Sequence, residues 1–413
     1  MDYILKYHQP EEIATIELPG SKSITNRVLL INAMSETHAK LNGLAQCDDT
    51  YAIIDGLRKH DLGIVDVGAA GTAMRFLTAY FAATEGVSVT LTGTDRMLNR
   101  PIGPLVEALR QLGAKIEYTG EEGFPPLRIE GNRLRGGHIG VRSNISSQFI
   151  SALMLIGPTL ERGLKIHLLE DTVSKTYIEM TCEIMRKFGI NARYDNESIT
   201  IPQQDYLPPI SYDIESDWSA ASYFYEAVAL SKTDKLKLTG LYSADKSLQG
   251  DRQLVDIFEL FGVYTAFYDG YAMIQKREYT DASAIELDLK SCSDLVPTLA
   301  VTACLSNRKF HFTGISNLRI KECDRLQALV LELRGLGYFL RCDDDSLSWT
   351  GERCERSHQA SIKTYKDHRI AMAFAVASTK IDGIIIEDAE VVRKSFPQFW
   401  NEMRKVGIET TVC

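Results

Sequence analysis

Six short stretches of this chain set cations or hydroxyls where chemistry on an anion could be done. LPGSKSITNR (18–27) carries Lys22, Ser23 and Arg27 in a loop of glycine, serine and threonine. NLRIKECDRL (317–326) reads as opening an outer helix, with Lys321 and Arg325 four apart on one face and Glu322 paired with Arg325, and KDHRIA (366–371) puts His368 and Arg369 before an apolar run. DRMLNRPIG (95–103) and RKSFP (393–397) place Arg96 with Arg100, and Arg393 with Lys394, ahead of a proline. SSQF (146–149) offers two hydroxyls and an amide at a helix start. Arginine's planar fork suits phosphate and carboxylate, and a helix N-terminus adds unpaired N–H groups. LPGSKSITNR is not a P-loop, because Walker A needs a glycine five residues before Gly-Lys-Ser/Thr and here Lys22 follows Ser21. Each loop alone also reads as an ordinary N-cap with solvated charges, and Lys321–Glu322–Arg325 as a surface ion-pair ladder.

Any anion site in this chain must be local. The 413 residues carry a formal net charge of −9, which argues against nucleic acid as the main partner, since phosphate backbones demand a broad basic face. Apolar residues make up 45% and charged residues 24%, ordinary values for a globular chain of two or three domains. The start, MDYILKYHQPEE, lacks the basic and apolar regions of a secretory signal, and no apolar run is long enough for a membrane span. The eight cysteines form no C-x-x-C pair and read as thiols of a reducing cytoplasm. No H-E-x-x-H, Cys/His cluster or EF-hand loop is visible, so no metal site is expected.

The elements that must position these residues repeat. Five amphipathic stretches end in a glycine, at Gly113, Gly189, Gly262, Gly337 and Gly407, spaced 76, 73, 75 and 70 residues apart. Glycine suits the left-handed position after a helix, and the alternating runs that follow, such as AKIEY, read as strands. A weaker sixth copy is LRKHDLG (57–63). Between them lie six nearly all-apolar stretches, including VLLINAM and IAMAFAVAS, which must be buried helices. Each follows one polar loop, and the markers Ser23, Thr72, Ser147, Ser219, Asp294 and His368 lie 49, 75, 72, 75 and 74 apart. The pattern predicts six repeats with buried helices inside and sheets outside, the first repeat shortened. Six positive helix ends at polar loops would trap anions without a basic composition.

LPGSKSITNR, GTAMR, RPIG, SSQF, DWSAASYF, IKECDRL, DHRIAMAFA and KSFPQF, in that order, resemble the motifs of the 5-enolpyruvylshikimate-3-phosphate synthase family of enolpyruvyl transferases. The resemblance spans almost the whole chain. It implies an α/β fold of two domains, each of three β-α-β-α-β-β units, with the active site in the interdomain cleft. One domain would be residues 20–215 and the other 1–19 with 216–413. It implies two anionic substrates, shikimate 3-phosphate and phosphoenolpyruvate, and transfer of the enolpyruvyl group to the 5-hydroxyl with release of phosphate. No cofactor is implied, and a cytoplasmic monomer with no nucleic-acid or membrane partner is expected.

The resemblance also assigns residues. Asp294 is the expected base at the ring hydroxyl, and Glu322 and Lys22 are expected to handle the proton steps at phosphoenolpyruvate, which does which being open. Lys22, Gly71, Thr72, Arg100, Gln148, Arg325, His368, Arg369 and Lys394 are expected around phosphoenolpyruvate. Lys22, Ser23, Arg27, Ser146, Ser147, Gln148, Ser174, Tyr177, Asp294, Asn317 and Lys321 are expected around shikimate 3-phosphate. The chain departs from the family at GAAGT, where Ala69 replaces a common asparagine, and at Phe76, where proline is common. About two strands' worth of chain is missing between CDDT and GAAGT, so the first outer sheet is expected to be incomplete. The sister enzyme acting on UDP-N-acetylglucosamine needs a loop cysteine, and no cysteine lies between Cys47 and Cys182. A non-catalytic sugar-phosphate binder would not need Asp294 and Glu322 beside its cations.

Overall fold

Six apolar stretches form six helices: Lys22–Ala33, Gly71–Ala83, Ser147–Ile156, Trp218–Leu230, Val296–Leu305 and His368–Val376. In this computed structural model, which describes all residues except 60–62, 143–146, 170–174, 244, 279–282 and 358–359, they are buried almost all round. Their contacts are mutual, first with third and second with third within each set of three. A helix with no polar face has no other stable place. The amphipathic partners, Asp48–Lys59, Gly103–Gln111, Lys175–Lys187, Leu254–Glu259, Arg325–Gly335 and Phe399–Lys405, lie outside them. Gly113, Gly189, Gly262, Gly337 and Gly407 all have positive φ, from 74° to 100°, so the chain turns where only glycine does so freely.

The outer layer is six small sheets. In the second repeat the strands are Ile64–Asp66, Ser88–Thr92, Lys115–Tyr118 and Leu127–Glu130, and their spatial order is first, second, fourth, third. The first two run parallel and the rest antiparallel. Leu127 and Ile129 face inward while Arg128 and Glu130 are exposed, the alternation of a sheet with one wet face. The third and fifth repeats follow the same order.

Three repeats borrow a strand from elsewhere in the chain. Thr15–Ile16 pairs in parallel with Lys235–Thr239 and serves as first strand of the fourth repeat. Tyr3–Tyr7 inserts between Ile384–Ile386 and Ile408–Val412 and is the fourth strand of the sixth. Ser211–Asp213 pairs in parallel with Lys40–Asn42 to open the first repeat. Among the described residues that first sheet has these two strands, and the helix Asp48–Lys59 is followed by Ile64–Asp66 of the next repeat. The chain divides into two compact units, a continuous one, Ser21–Ile214, and a split one, Met1–Gly20 with Glu215–Cys413. Among the described residues no helix is long and apolar enough to cross a membrane.

The split unit's core contains one anomaly. Glu226 lies in the helix Trp218–Leu230 at 0% exposure, and neither carboxyl oxygen makes a hydrogen bond. Burial raises its pKa well above the ordinary carboxylate range, and the Thr302 hydroxyl facing it offsets little of that. Burial thus favours the neutral form of Glu226 in the folded protein. Its contribution to stability is most favourable below the unfolded pKa of about 4.3 and declines as pH rises toward the folded value, by roughly 1.4 kcal/mol per pH unit. Glu226→Gln should remove that decline. Unfolding of wild type and variant by urea, at about pH 5 and about pH 8, should show the variant's relative stability growing with pH; a difference independent of pH would contradict a neutral Glu226.

Candidate active site

In the continuous unit the inner helices begin at residues the sequence singled out. Lys22 is the first residue of its helix, after Ser21, and its Nζ donates to Asp49 Oδ2 at 2.9 Å. Arg27, one turn on, is buried and fully engaged. It donates to the Thr181 and Ser151 hydroxyls at 2.7 Å each and to the Ser23 carbonyl at 2.8 Å. Its guanidinium carbon lies 5.5 Å from the Phe76 ring centroid and 5.7 Å from that of Tyr177. Burial lowers its pKa to about 10, which leaves it charged at neutral pH. Phe76 thus packs against a residue expected around shikimate 3-phosphate, while Ala69 is exposed.

Gly71 and Ser147 also open inner helices. A Cβ at Gly71 would overlap the Arg100 guanidinium, so only glycine lets that cation lie against the helix start. Arg100 is buried and its Nε makes no hydrogen bond. Gln148 Nε2 donates to Thr72 Oγ1 at 3.2 Å, linking two of the predicted loops. Ser146 and Ser174 lie outside the described residues.

In the split unit the predicted cations converge on carboxylates. Arg325 is the hub, with its side chain 2% exposed. Nε donates to Asp367 Oδ2 at 2.7 Å, Nη1 to Asp294 Oδ1 at 3.0 Å and Nη2 to Glu322 Oε2 at 2.8 Å. Arg369 Nη2 reaches the other Asp294 oxygen at 2.9 Å, and Lys394 the other Glu322 oxygen at 2.8 Å. Lys321 lies 3.7 Å from Asp294, and Asn317 donates to the Ser293 hydroxyl at 3.0 Å. His368 is buried with Nδ1 3.8 Å from Asp367. Burial alone would raise the Asp294 pKa, but Arg369, Lys321 and Arg325 override it and hold the group far below the carboxylate range.

Two local expectations are corrected here. Lys321 and Arg325 do not share a helix face: residues Ser316–Ile320 form a 3₁₀ turn, and the outer helix begins only at Arg325, capped by Asp324. Nor are they a solvated surface ladder, since Arg325 is among the most deeply buried charges of the chain. His368 and Arg369 are the first two residues of their helix rather than a loop before it. Asp367 is its N-cap and accepts from the Arg369 N–H at 2.9 Å.

Sequence reasoning missed Asp49, Asp367, Ser219 and Asp251. Asp367 did carry a signal, an Asp directly before a buried apolar helix. Ser219 served only as a spacing marker, yet its hydroxyl accepts from Arg369 Nη2 at 3.3 Å and donates to Asp251. Taken together, one unit presents helix starts with Lys22, Arg27 and Arg100. The other presents cations ion-paired with carboxylates. Such a set can bind phosphates and carboxylates and move protons at hydroxyl or carbon.

Comparison with known proteins agrees with this chemistry. The family model described as EPSP synthase (3-phosphoshikimate 1-carboxyvinyltransferase) matches residues 10–65 and 60–403. A 3-phosphoshikimate 1-carboxyvinyltransferase of Bacteroides fragilis is 47% identical over 412 residues, covering 98% of each chain. One of Haemophilus influenzae is 35% identical over 426 residues, covering 96% of each. Among solved structures, EPSP synthase from Acinetobacter baumannii superimposes with a TM-score of 0.77 over the full length of both chains at 22% identity. The enolpyruvyl transferase NikO from Streptomyces tendae does so with 0.76 at 13% identity, over 100% of this chain and 99% of its own. At these identities the structural matches speak for the fold. The family match over nearly the whole sequence, on the same loops that gather the cations and carboxylates, makes this chain a member of the EPSP synthase family.

Proposed function

We propose that this chain transfers the enolpyruvyl group of phosphoenolpyruvate to the 5-hydroxyl of shikimate 3-phosphate and releases inorganic phosphate. The observation that carries this reading is the Arg325 cluster, where Asp294 and Glu322 are ion-paired among Arg325, Arg369, Lys321 and Lys394. Carboxylates weaken anion binding, so their presence among ligand cations points to proton work rather than binding alone. Both compact units contribute residues to this reading, Lys22, Arg27 and Arg100 from one and the Arg325 cluster from the other.

The chemistry divides into two stages. Protonation of the phosphoenolpyruvate methylene makes the neighbouring carbon electrophilic, and the 5-hydroxyl oxygen attacks it as its proton leaves to a base. The tetrahedral adduct then loses a methyl proton and its phosphate, with cleavage of the C–O bond. Asp294 is the base in this scheme; Lys22 and Glu322 serve the carbon proton, and Arg100, Arg325, Arg369 and Lys394 hold the phosphate and carboxylate. Asp294 starts as a weak base because three cations face it. Anionic substrates that draw on the same cations loosen those ion pairs, and the basicity of Asp294 rises as they do. Lys22 is likewise held by Asp49 until a substrate anion competes for it.

Phosphate release from phosphoenolpyruvate that depends on shikimate 3-phosphate tests the reading directly. Lys22→Ala should lower kcat/KM more than tenfold, over about 1.4 kcal/mol, while the circular dichroism spectrum is kept. Retention of more than about a tenth of kcat/KM would remove Lys22 from the mechanism. Asp294→Asn keeps the side chain's size but cannot take a proton at neutral pH. It should bind shikimate 3-phosphate by calorimetry and fail to turn over; loss of binding together with activity would make Asp294 a positioning group instead.

A further inference from the structure

Asp251 is a buried carboxylate that the scheme above leaves unused. It stands on the 3₁₀ turn Gly250–Gln253, just before the outer helix Leu254–Glu259, with 6% exposure. It accepts a hydrogen bond from Ser219, the second residue of the inner helix Trp218–Leu230. Ser219 Oγ in turn accepts from Arg369 Nη2 at 3.3 Å, the same nitrogen that donates to Asp294 Oδ2 at 2.9 Å. Four segments distant in sequence are thereby joined in one hydrogen-bonded chain, Asp251–Ser219–Arg369–Asp294.

The charges make this chain consequential. Four cations, Arg325, Arg369, Lys321 and Lys394, face three carboxylates, Asp294, Glu322 and Asp367. An ionised Asp251 balances the set, and a protonated one leaves a positive charge in surplus. The hydrogen-bond direction changes with it. An ionised Asp251 takes the Ser219 proton and leaves the hydroxyl lone pairs to Arg369. A protonated Asp251 can donate to Ser219 Oγ and so competes with Arg369 for that oxygen.

We propose that Asp251 is a positioning residue for enolpyruvyl transfer: through the Ser219 hydroxyl it fixes the Arg369 guanidinium, and protonation of its carboxyl releases that hold. The assignment rests on the function proposed above, which gives Arg369 to phosphoenolpyruvate. The carboxyl titrates where this matters. Burial and the like charge of Asp294 push its pKa up to about 7, against the opposing pull of Arg369 and the Ser219 hydrogen bond. Asp217, the N-cap of the Ser219 helix, adds to the rise, and the Cys292 thiol is the other titratable group that senses Asp251. A carboxylate that served only to support the helix start would affect stability and leave substrate kinetics alone.

The test is phosphate-release kinetics of wild type, Asp251→Asn and Ser219→Ala between about pH 5.5 and about pH 8.5. Both variants should raise KM for phosphoenolpyruvate by about tenfold with kcat within about threefold. The wild-type fall in kcat/KM below about pH 7 should be diminished in Asp251→Asn, which retains only the titration of the substrates' own phosphates. KM within about twofold of wild type in both variants, or an unchanged acid limb in Asp251→Asn, overturns the proposal. Should Asp251→Asn fail to fold, Ser219→Ala decides on KM alone. A wild type that releases no phosphate with shikimate 3-phosphate overturns the functional reading and this one together, whereas an active wild type with unmoved variants overturns this one only.

Discussion

Arg325 has almost no water around it, and a guanidinium in that position costs several kcal/mol unless every donor edge meets a partner. Its three nitrogens meet three different carboxylates, those of Asp367, Asp294 and Glu322. Asp367 caps the sixth inner helix, Asp294 sits in the turn that enters the fifth, and Glu322 precedes the outer helix that Arg325 itself begins. One fork therefore fixes the relative placement of three segments. Arg369 and Lys394, further out, then attach to the remaining oxygens of Asp294 and Glu322, and Lys321 lies 3.7 Å from the Asp294 oxygen that Arg325 already holds. A lysine at this position could not do the same, because an ammonium is a point charge with no planar edge.

This arrangement also explains how an acidic chain can expose cations to anionic ligands without disrupting itself when none is bound. The positive groups are stored in ion pairs rather than left facing one another, and Lys22 with Asp49 repeats the device in the continuous unit. Affinity is reduced, because a ligand must replace carboxylates rather than occupy an open site. Under the proposed function, arriving anions would draw those cations off the carboxylates and so couple their proton affinity to occupancy.

Much of the architecture was legible because it rests on local rules repeated. The six apolar helices, the glycines that end their amphipathic partners and the shortened first repeat all follow from periodicity and φ preference. The predicted cations were legible as residue types in loops, but their partners were not. Nothing about CDDT marks Asp49 as the counterion of Lys22, twenty-seven residues away, and nothing about LQGD marks Asp251 as a neighbour of Ser219. Such pairings depend on how separate repeats are brought together, which periodicity does not encode. Lys321 and Arg325 show the converse error: helical spacing was assumed across a stretch where a 3₁₀ turn and a cap intervene, yet both side chains reach Asp294. The borrowed strands escaped notice for the same reason, since Tyr3–Tyr7 alternates like any strand and does not declare its partners.

Those borrowed strands impose an order on biosynthesis. The ribosome delivers Tyr3–Tyr7 well before the two strands it must lie between, Ile384–Ile386 and Ile408–Val412. Thr15–Ile16 waits likewise for Lys235–Thr239. Meanwhile Ser21–Ile214 holds every strand of its own sheets and can assemble while the remainder is still being translated. Until those partners are made, Tyr3–Tyr7 lacks the strands on both of its sides. Seating Tyr3–Tyr7 against Ile408–Val412 pairs segments of very high sequence separation, so loop-closure entropy weighs heavily on the sheet of the sixth repeat.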